Sequence, residues 1–216
     1  SALNKLIAKK VLKKKIKTNI EIKENFKCDE PKSIYGFTKY ASEMLIEEFS
    51  FAYDLKYIIN RCGVISGPLQ FGKQDQGFVS LWLWRHINKK KLSYIGYGGN
   101  GYQIRDVLHI NDLCMLIYQQ IIKFHKIYNE RFNVGGGRKS NTSLKKLTKI
   151  CESLTGNQIK ISSIKKTSIY DIPYYVSSNF KVTKFYNWRP RKKFLDIAND
   201  TYKWIIDNKY NLKKYF

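Results

Sequence analysis

Short apolar runs alternate with amphipathic segments along most of the chain, and this alternation limits the fold more than any other feature. Apolar residues that recur every three or four positions predict helices, whereas short apolar runs between turn residues predict buried strands. Helices are predicted at 37–53, 78–88, 112–124, 143–154, 178–187 and 194–208, and strands at 57–62, 92–95 and 131–134. Because strands that alternate with helices are typical of the α/β class, we expect an α/β protein.

The formal net charge of +23, from 40 Lys and Arg against 17 Asp and Glu, has two interpretations. Clustered cations would favour a polyanionic partner such as a nucleic acid. Lysine is instead scattered over most of the chain, with its densest run at 9–17, and no helix-turn-helix, RNP-type, KH or zinc-finger pattern organises it. We therefore favour the interpretation that the lysine side chains are spread over the solvated surface of the protein. Nucleic-acid binding is the less favoured interpretation.

The sequence also predicts a soluble, cytoplasmic protein without a membrane partner. No apolar stretch approaches the roughly 20 residues that cross a bilayer. The four cysteines, at positions 28, 62, 114 and 151, are widely spaced and include no CxxC pair. This spacing suggests neither a disulfide framework nor a metal site, so reduced thiols are expected.

Tyr35 and Lys39 form a pair with chemical meaning at the start of the first predicted helix. A separation of four residues places both side chains on one side of a helix. A nearby ammonium favours the phenolate and so lowers the pKa of a tyrosine, whose ordinary value is about 10. Tyr35 could then remove a proton from a substrate hydroxyl, although an isolated match of this kind is weak evidence.

The pair lies within an ordered series of motifs that resembles the NAD-dependent epimerase/dehydratases, a family of extended short-chain dehydrogenases/reductases. The stretches that show this resemblance include Tyr35-Gly36-Phe37-Thr38-Lys39 within 31–43, Asn60-Arg61-Cys62-Gly63 within 60–68, and Arg105-Asp106 within 101–112. Further matching stretches lie at 73–77, 132–137 and 187–190. Because the order and the spacing both match from about 31 to 190, coincidence is a poor explanation.

The resemblance implies a fold and a division into domains. The fold would be the C-terminal part of a doubly wound Rossmann-type domain plus a smaller α/β sugar-nucleotide domain. Residues 1–33 would be a Lys-rich lead-in, 34–64 the catalytic helix and following strand of the Rossmann domain, and 65–216 mainly the substrate-binding domain.

The same resemblance implies roles for individual residues. Tyr35 and Lys39 would be catalytic and, with Cys62 and Gly63, would also bind the cofactor NAD. The expected substrate-binding residues are Gln76, Gly77, Gln103 and Arg105, the last as a ligand of the substrate diphosphate. Within the family, the sequences of these motifs are most similar to those of the CDP-paratose 2-epimerase subfamily. This similarity implies a CDP-sugar substrate, an isomerase reaction and a possible homodimer.

One expected part of such an enzyme is missing from this sequence. No strand, Gly-rich turn and helix precede Tyr35, although pyrophosphate binding requires them. The literal GxGxxG at Gly96, Gly98 and Gly101 continues into an extended segment, so we do not assign it as a cofactor loop. We therefore expect a truncated chain that does not bind NAD alone.

Several alternatives remain open at this point. The chain could be a non-catalytic remnant that binds a sugar nucleotide or another protein, or part of a nucleotide-sugar dehydratase or reductase. Of the three histidines, His109 is expected to make a structural hydrogen bond, and His86 and His125 are expected on helix surfaces.

Overall fold

The computed structural model of the protein describes residues 20–28, 33–73 and 76–216, and helices alternate with strands there, as expected for the α/β class. The helices are α1 Ile34–Tyr53, α2 Phe78–Ile87, α3 Ile110–Lys123, α4 Leu144–Thr155, α5 Phe180–Tyr186, α6 Phe194–Asp207 and α7 Lys209–Leu212. The strands are β1 Ile58–Cys62, β2 Val64–Ser66, β3 Leu92–Ile95, β4 Ile104–His109, β5 Glu130–Val134, β6 Asn141–Ser143, β7 Ile161–Ile164 and β8 Tyr174–Tyr175. No helix in the described ranges combines the length and the apolar character needed to span a bilayer.

Capping side chains explain why two helices begin a few residues before the start that their apolar periodicity predicts. The Ser33 hydroxyl accepts a hydrogen bond from the Gly36 backbone N–H at 3.0 Å, so α1 starts at Ile34. The His109 ring accepts one from the Asn111 N–H at 3.0 Å and starts α3 at Ile110. The basic run at 9–17 and most of the lead-in at 1–33 lie outside the described residues.

The strands form three small groups that are mainly parallel. β1 pairs with β5, and β3 pairs with β7, both in parallel. β4 is the centre of the third group, parallel to β2 and β8 and antiparallel to β6. β4 therefore connects the segment that follows β1 to the C-terminal part of the chain.

β4 also lies between two hydrophobic clusters. Val107 belongs to a cluster with buried residues of α2, α4 and α6, whereas Leu108 belongs to a cluster with buried residues of α3, α5 and β5. Successive side chains of a strand point to opposite faces, so both faces of β4 are buried. Each fully buried apolar side chain contributes about 1.5–3 kcal/mol, and this packing fixes the position of the strand.

α1 is attached to the rest of the structure through polar contacts instead of an apolar face. None of its residues is buried. The Glu43 carboxylate accepts hydrogen bonds from Arg61 Nε at 2.9 Å and from Arg61 NH2 at 2.6 Å. Glu47 forms an ion pair with Arg131 of β5. A two-point guanidinium–carboxylate contact fixes orientation as well as distance, so these pairs set the position of α1 on β1 and β5.

We predict that Glu43→Gln lowers the free energy of unfolding by about 2 kcal/mol, because the half-buried Arg61 guanidinium loses its anionic partner. Urea unfolding followed by circular dichroism measures this change. Glu48→Gln is the matched control, since Glu48 is exposed on the same helix. Equal stability of the two variants would contradict an orienting role for the Arg61 pair.

The prediction of a surface position for His86 is wrong, whereas His125 is exposed as expected. His86 is 0% exposed, and its Nδ1–H donates to the Trp82 carbonyl at 2.7 Å. Burial lowers the pKa of His86, with the Trp82 hydrogen bond and Glu152 acting in the opposite direction. α2 is packed against α4 and α6, so its His-bearing side faces the core, which the helix's own pattern did not reveal.

This burial predicts a pH dependence of stability. Below the ordinary histidine pKa of about 6.5, the unfolded chain binds a proton that folded His86 does not, so stability falls as the pH drops through that value. His86→Gln should reduce the loss of unfolding free energy between pH 7.5 and pH 5.5, measured by urea unfolding at each pH. An identical loss in the parent chain, in His86→Gln and in the control His125→Gln would exclude His86 as the titrating group.

Candidate functional site

Tyr35 and Lys39 lie side by side in the first turns of α1, as their spacing predicts. The Lys39 ammonium lies 5.5 Å from the centroid of the Tyr35 ring. The Tyr35 side chain is 66% exposed, and Lys39 forms no ion pair with a carboxylate among the described residues. Both groups are therefore accessible to a ligand from the same side of the helix.

Cys62 and Gly63 follow one another where β1 ends and the chain turns into β2. The Gly63 N–H donates to the Val134 carbonyl at 2.8 Å, and a Cβ at position 63 would lie 2.9 Å from Asp106 Oδ1. A glycine is thus required here by the protein's own buried carboxylate. The Cys62 side chain is exposed.

Asp106 is a buried carboxylate that joins three segments. Its Oδ2 accepts hydrogen bonds from the backbone N–H groups of Gly137 and Ser177, each at 3.0 Å. Burial raises the pKa of Asp106, and the two backbone donors act in the opposite direction. The contacts connect β4 to the turn after β5 and to the segment after β8, next to the strand residue Arg105.

A cavity of about 410 Å³ lies between α2, β3, β4 and the segment from β7 to β8. Part of its wall is apolar and aromatic, with Phe78, Leu81, Trp82, Leu92 and Leu144. Its polar lining comprises Arg85, Lys91, Ser93, Gln103, Arg105, Thr142 and Asp171. A mostly apolar pocket with a few convergent polar groups is the usual form of a small-molecule site.

Arg105 is held firmly at this cavity by three acceptors. Its guanidinium donates to Asp171 Oδ1 at 2.9 Å, to the Ile172 carbonyl at 2.6 Å and to the Ile104 carbonyl at 2.8 Å. Burial lowers the pKa of Arg105, and Asp171 opposes that shift. A guanidinium stays protonated even so, and it presents five donors in a rigid plane.

The cations that line the cavity outnumber its anions. Arg85, Lys91 and Arg105 face a single carboxylate, that of Asp171, which is already paired with Arg105. Arg85 and Lys91 form no ion pair with the described residues. The cavity therefore suits a ligand that combines an anionic group with an apolar or aromatic body.

The Asp171 carboxylate also affects a neighbouring phenol. Tyr97 donates its hydroxyl to the Asp171 carbonyl at 2.7 Å. Burial and the negative charge of Asp171 raise the pKa of Tyr97 to about 12, so this phenol stays neutral and is no proton acceptor.

The expected substrate-binding residues divide into two groups. Gln103 and Arg105 line the cavity, and the Gln103 amide donates to the Ile95 carbonyl at 2.7 Å. Gln76 and Gly77 do not line it, but they immediately precede the lining residue Phe78. Tyr35, Lys39, Cys62 and Gly63 are also outside the lining.

Only Gln103 and Arg105 of the lining were predicted from the sequence, and the charged lining residues Arg85, Lys91 and Asp171 were missed. Asp171 left a signal in the sequence. It is the only acidic residue between positions 153 and 195, in a segment rich in lysine and arginine. A single carboxylate in such a segment could have indicated a functional ion pair, because one acidic residue among many basic ones often pairs with one of them.

The Gly-rich turns do not open helices in the described structure. Gly96, Gly98 and Gly101 pass through a short 3-10 helix and lead into β4, as the extended segment predicts. The turn at 135–137 passes through another 3-10 helix into β6, after which Ser143 caps α4.

His109 is buried and structural, with its Nε2 3.3 Å from Asp200, and burial lowers its pKa. The described residues contain no group of metal-ligating side chains.

Comparison with known protein families gives one match. The sequence model of the NAD dependent epimerase/dehydratase family matches residues 13–135.

Curated relatives are similar over most of this chain but are longer. A CDP-paratose 2-epimerase of Salmonella typhi is 26% identical over 174 residues, which cover 80% of this chain and 51% of the relative. A dTDP-glucose 4,6-dehydratase of Neisseria gonorrhoeae is 26% identical over 190 residues, which cover 83% of this chain and 52% of the relative. The chain thus spans about half the length of the curated relatives it matches.

Solved structures share the fold. A UDP-glucose 4-epimerase of Thermotoga maritima with UDP-glucose has a TM-score of 0.72 and 21% identity, covering 95% of this chain and 69% of that one. A dTDP-glucose 4,6-dehydratase of Bacillus anthracis in complex with NAD has a TM-score of 0.73 and 22% identity, covering 90% of this chain and 58% of that one. These likenesses confirm the Rossmann-type α/β fold.

Proposed function

Because the chain belongs to the NAD-dependent epimerase/dehydratase family, we propose that it supplies the acid–base helix and the substrate pocket of a nucleotide-sugar epimerase. The observation that carries this proposal is the cavity at Arg105, where unneutralised cations lie beside an aromatic wall. A nucleotide diphosphate combines these two features, since its phosphates are anionic and its flat base has faces that stack on aromatic side chains. A CDP-sugar is the favoured substrate, in line with the sequence motifs.

The pocket residues divide the work of binding. Arg105 binds the diphosphate with its charge and with the donors that the Asp171, Ile172 and Ile104 contacts leave free, the Nε–H and one NH1 hydrogen. Asp171 and the two carbonyl acceptors hold that guanidinium in place before the ligand arrives. Gln103 contacts the sugar from the cavity lining in this proposal. Gln76 and Gly77 are outside the lining and would border the sugar from the start of α2, which Gly77 opens.

Tyr35 and Lys39 carry the acid–base chemistry in this proposal. The Tyr35 phenolate removes the proton of a sugar hydroxyl, and the Lys39 ammonium stabilises the phenolate charge. NAD, when bound, supplies the redox chemistry at the same carbon. The described residues fit one end of this cofactor, since the Lys39 ammonium, which has no carboxylate partner among them, can bind ribose hydroxyls, and Cys62 ends β1 with Gly63 directly after it.

The division of labour follows the proposed domains. Residues 34–64 belong with the cofactor-binding domain, and 65–216 form mainly the substrate domain. None of the described Gly-rich turns opens a helix that could hold a pyrophosphate, so this chain by itself is expected to bind sugar nucleotide but not NAD.

A second candidate function is binding without catalysis. The observation that favours it is the separation of Tyr35 and Lys39 from the residues that line the cavity. In that case the pocket would bind a sugar nucleotide, and the Tyr35 phenol would have no catalytic role. A dehydratase or reductase would use the same Tyr–Lys pair, so the reaction type rests on the motif resemblance.

Isothermal titration of the chain with CDP, UDP and NAD tests the pocket. We expect binding of CDP, weaker binding of UDP and no binding of NAD. Arg105→Lys should weaken CDP binding about tenfold, because lysine keeps the charge but cannot keep the Asp171, Ile172 and Ile104 contacts that position the cation. Arg189→Lys is the control, since Arg189 is exposed and does not line the cavity.

Absence of both CDP and UDP binding would contradict the nucleotide pocket itself. Equal affinity for CDP and UDP would contradict only the CDP preference. Equal loss of affinity in Arg105→Lys and Arg189→Lys would show that charge alone, without the Arg105 geometry, holds the ligand.

The catalytic role of Tyr35 is tested in a protein in which this chain follows a cofactor-binding half. Tyr35→Phe should lower kcat for sugar epimerisation by a factor of about 10² to 10⁴, the usual contribution of a positioned acid–base group. Tyr53→Phe is the matched control, because Tyr53 is exposed on the same side of α1, five turns away. An undiminished kcat in Tyr35→Phe would exclude this phenol as the proton acceptor.

A further inference from the structure

The cavity has cations at two ends of its lining. α2 and β3 are joined by a short turn at 88–91, so they run in opposite directions along the cavity. Arg85 is in the last turn of α2, and its carbonyl accepts a hydrogen bond from the Lys90 N–H at 2.8 Å. This bond brings the start of β3, and with it the lining residue Lys91, next to Arg85. Arg85 and Lys91 therefore mark one end of the cavity.

Arg105 lies at the other end. The Gln103 amide donates to the Ile95 carbonyl at 2.7 Å, so the segment that leads into β4 lies beside the end of β3. Lys91 and Ile95 are four residues apart, which is about 13 Å along a strand. A diphosphate bound at Arg105 therefore does not extend to Arg85, and another part of the ligand meets Arg85.

An apolar wall connects the two ends. Phe78, Leu81, Trp82 and Arg85 line the cavity from one side of α2, because residues three and four apart share a side of a helix. They extend over about 10 Å of the helix axis. Leu92 of β3 also belongs to the lining. A flat aromatic ring can pack against this wall with its edge at the Arg85 end.

This inference rests on the proposed function, which determines the part of the ligand at each end. Tyr35 and Lys39 are outside the lining, so the sugar extends from the diphosphate at Arg105 out of the cavity toward them. The nucleoside then occupies the cavity on the other side of the diphosphate. The edge of its base is the part that reaches Arg85.

We propose that Arg85 is a specificity-determining residue that recognises the edge of a pyrimidine base and favours cytosine over uracil. A guanidinium presents two N–H donors side by side. Cytosine presents two acceptors side by side, its N3 and its O2, so both donors can form hydrogen bonds. Uracil carries a hydrogen on N3, so one donor of Arg85 meets another donor and stays unpaired.

Arg85 is available for these hydrogen bonds. Arg61, Arg105 and Arg131 each form an ion pair with a carboxylate, whereas Arg85 forms none within the described ranges. Its side chain is half-buried, and a hydrogen bond gains strength where water is partly excluded. The charge of Arg85 also attracts the phosphates of the ligand from a distance, although its hydrogen bonds go to the base.

Lys91 differs from Arg85 in how it would act. Its side chain is exposed, and an ammonium is a point charge whose donors rotate freely. O2 is present in both bases, so the Lys91 ammonium attracts cytosine and uracil alike. The selection between the two bases therefore depends on the fixed pair of donors of Arg85.

Isothermal titration of the full chain with CDP and UDP tests this assignment. The parent chain should bind CDP about tenfold more tightly than UDP, the effect of one unpaired donor. Arg85→Gln should bring the two affinities close together, because an amide can turn to present either a donor or an acceptor to N3. Lys91→Gln should weaken both ligands equally.

Lys90→Gln is the matched control. Lys90 is exposed in the same turn and does not line the cavity, so this variant removes one positive charge without touching the ligand. It should keep the preference of the parent chain for CDP. Loss of that preference in Lys90→Gln as well as in Arg85→Gln would overturn the assignment, since charge alone would then explain both results.

A modified ligand gives a second measurement that needs no variant. In the 3-deaza analogue of CDP a C–H group replaces N3, which removes one acceptor and keeps the shape of the base. The parent chain should bind this analogue about tenfold more weakly than CDP. Arg85→Gln should show a smaller difference, and this coupling between residue and atom identifies their contact.

The outcomes separate this inference from the proposed function. A preference for CDP that persists in Arg85→Gln would overturn the role of Arg85 while the nucleotide pocket remains supported. Equal affinity of the parent chain for CDP and UDP, or for CDP and its 3-deaza analogue, would do the same. Absence of binding of both CDP and UDP would overturn the proposed pocket, and the role of Arg85 with it.

Discussion

The contact between Glu43 and Arg61 determines where the proposed catalytic helix lies. α1 buries none of its residues, so hydrophobic packing does not hold it against the described part of the protein. The two-point contact of Arg61 with Glu43, together with the Arg131–Glu47 pair, sets its rotation about the helix axis. That rotation leaves Tyr35 and Lys39 exposed on one side of the helix. The position of the proposed acid–base pair thus depends on a few charged hydrogen bonds.

Charge balance has a second consequence at the cavity. Most of the described acidic residues near basic ones are already paired, including Glu43, Glu47, Asp171 and Asp200. With 40 basic residues against 17 acidic ones, many cations have no protein partner, and Arg85 and Lys91 are two that line a cavity. A ligand with phosphates would supply the missing anions there. The high net charge that suggested nucleic acids is therefore compatible with a small anionic ligand.

Local pattern was sufficient to predict six of the seven described helices and the strands β1, β3 and β5. β3 was placed at its observed residues, and α1, α2 and α6 were placed to within a few residues, because periodicity and capping are encoded nearby in the sequence. The short strands β2, β6, β7 and β8 were not predicted. They contain two to four residues and exist through pairing with distant strands, which local pattern does not show.

Sequence motifs predicted individual residues of the candidate site but not the contacts between them. Arg105 and Gln103 do line one cavity, and Tyr35 and Lys39 do lie together. Asp171 was missed because its importance comes from a contact with Arg105 across 66 residues of sequence, and the burial of His86 was missed because it depends on helices that pack over α2. Contacts of this kind are properties of tertiary packing.

The polarity of α1 is the reverse of that of an ordinary surface helix, which turns its apolar stripe to the core. Glu43 and Glu47 face β1 and β5, where they pair with Arg61 and Arg131, whereas large apolar side chains such as Leu45 are exposed. Because the described residues leave this apolar surface uncovered, burial of apolar area does not hold the helix. The ion pairs with Arg61 and Arg131 are therefore the contacts that keep α1 in place on β1 and β5.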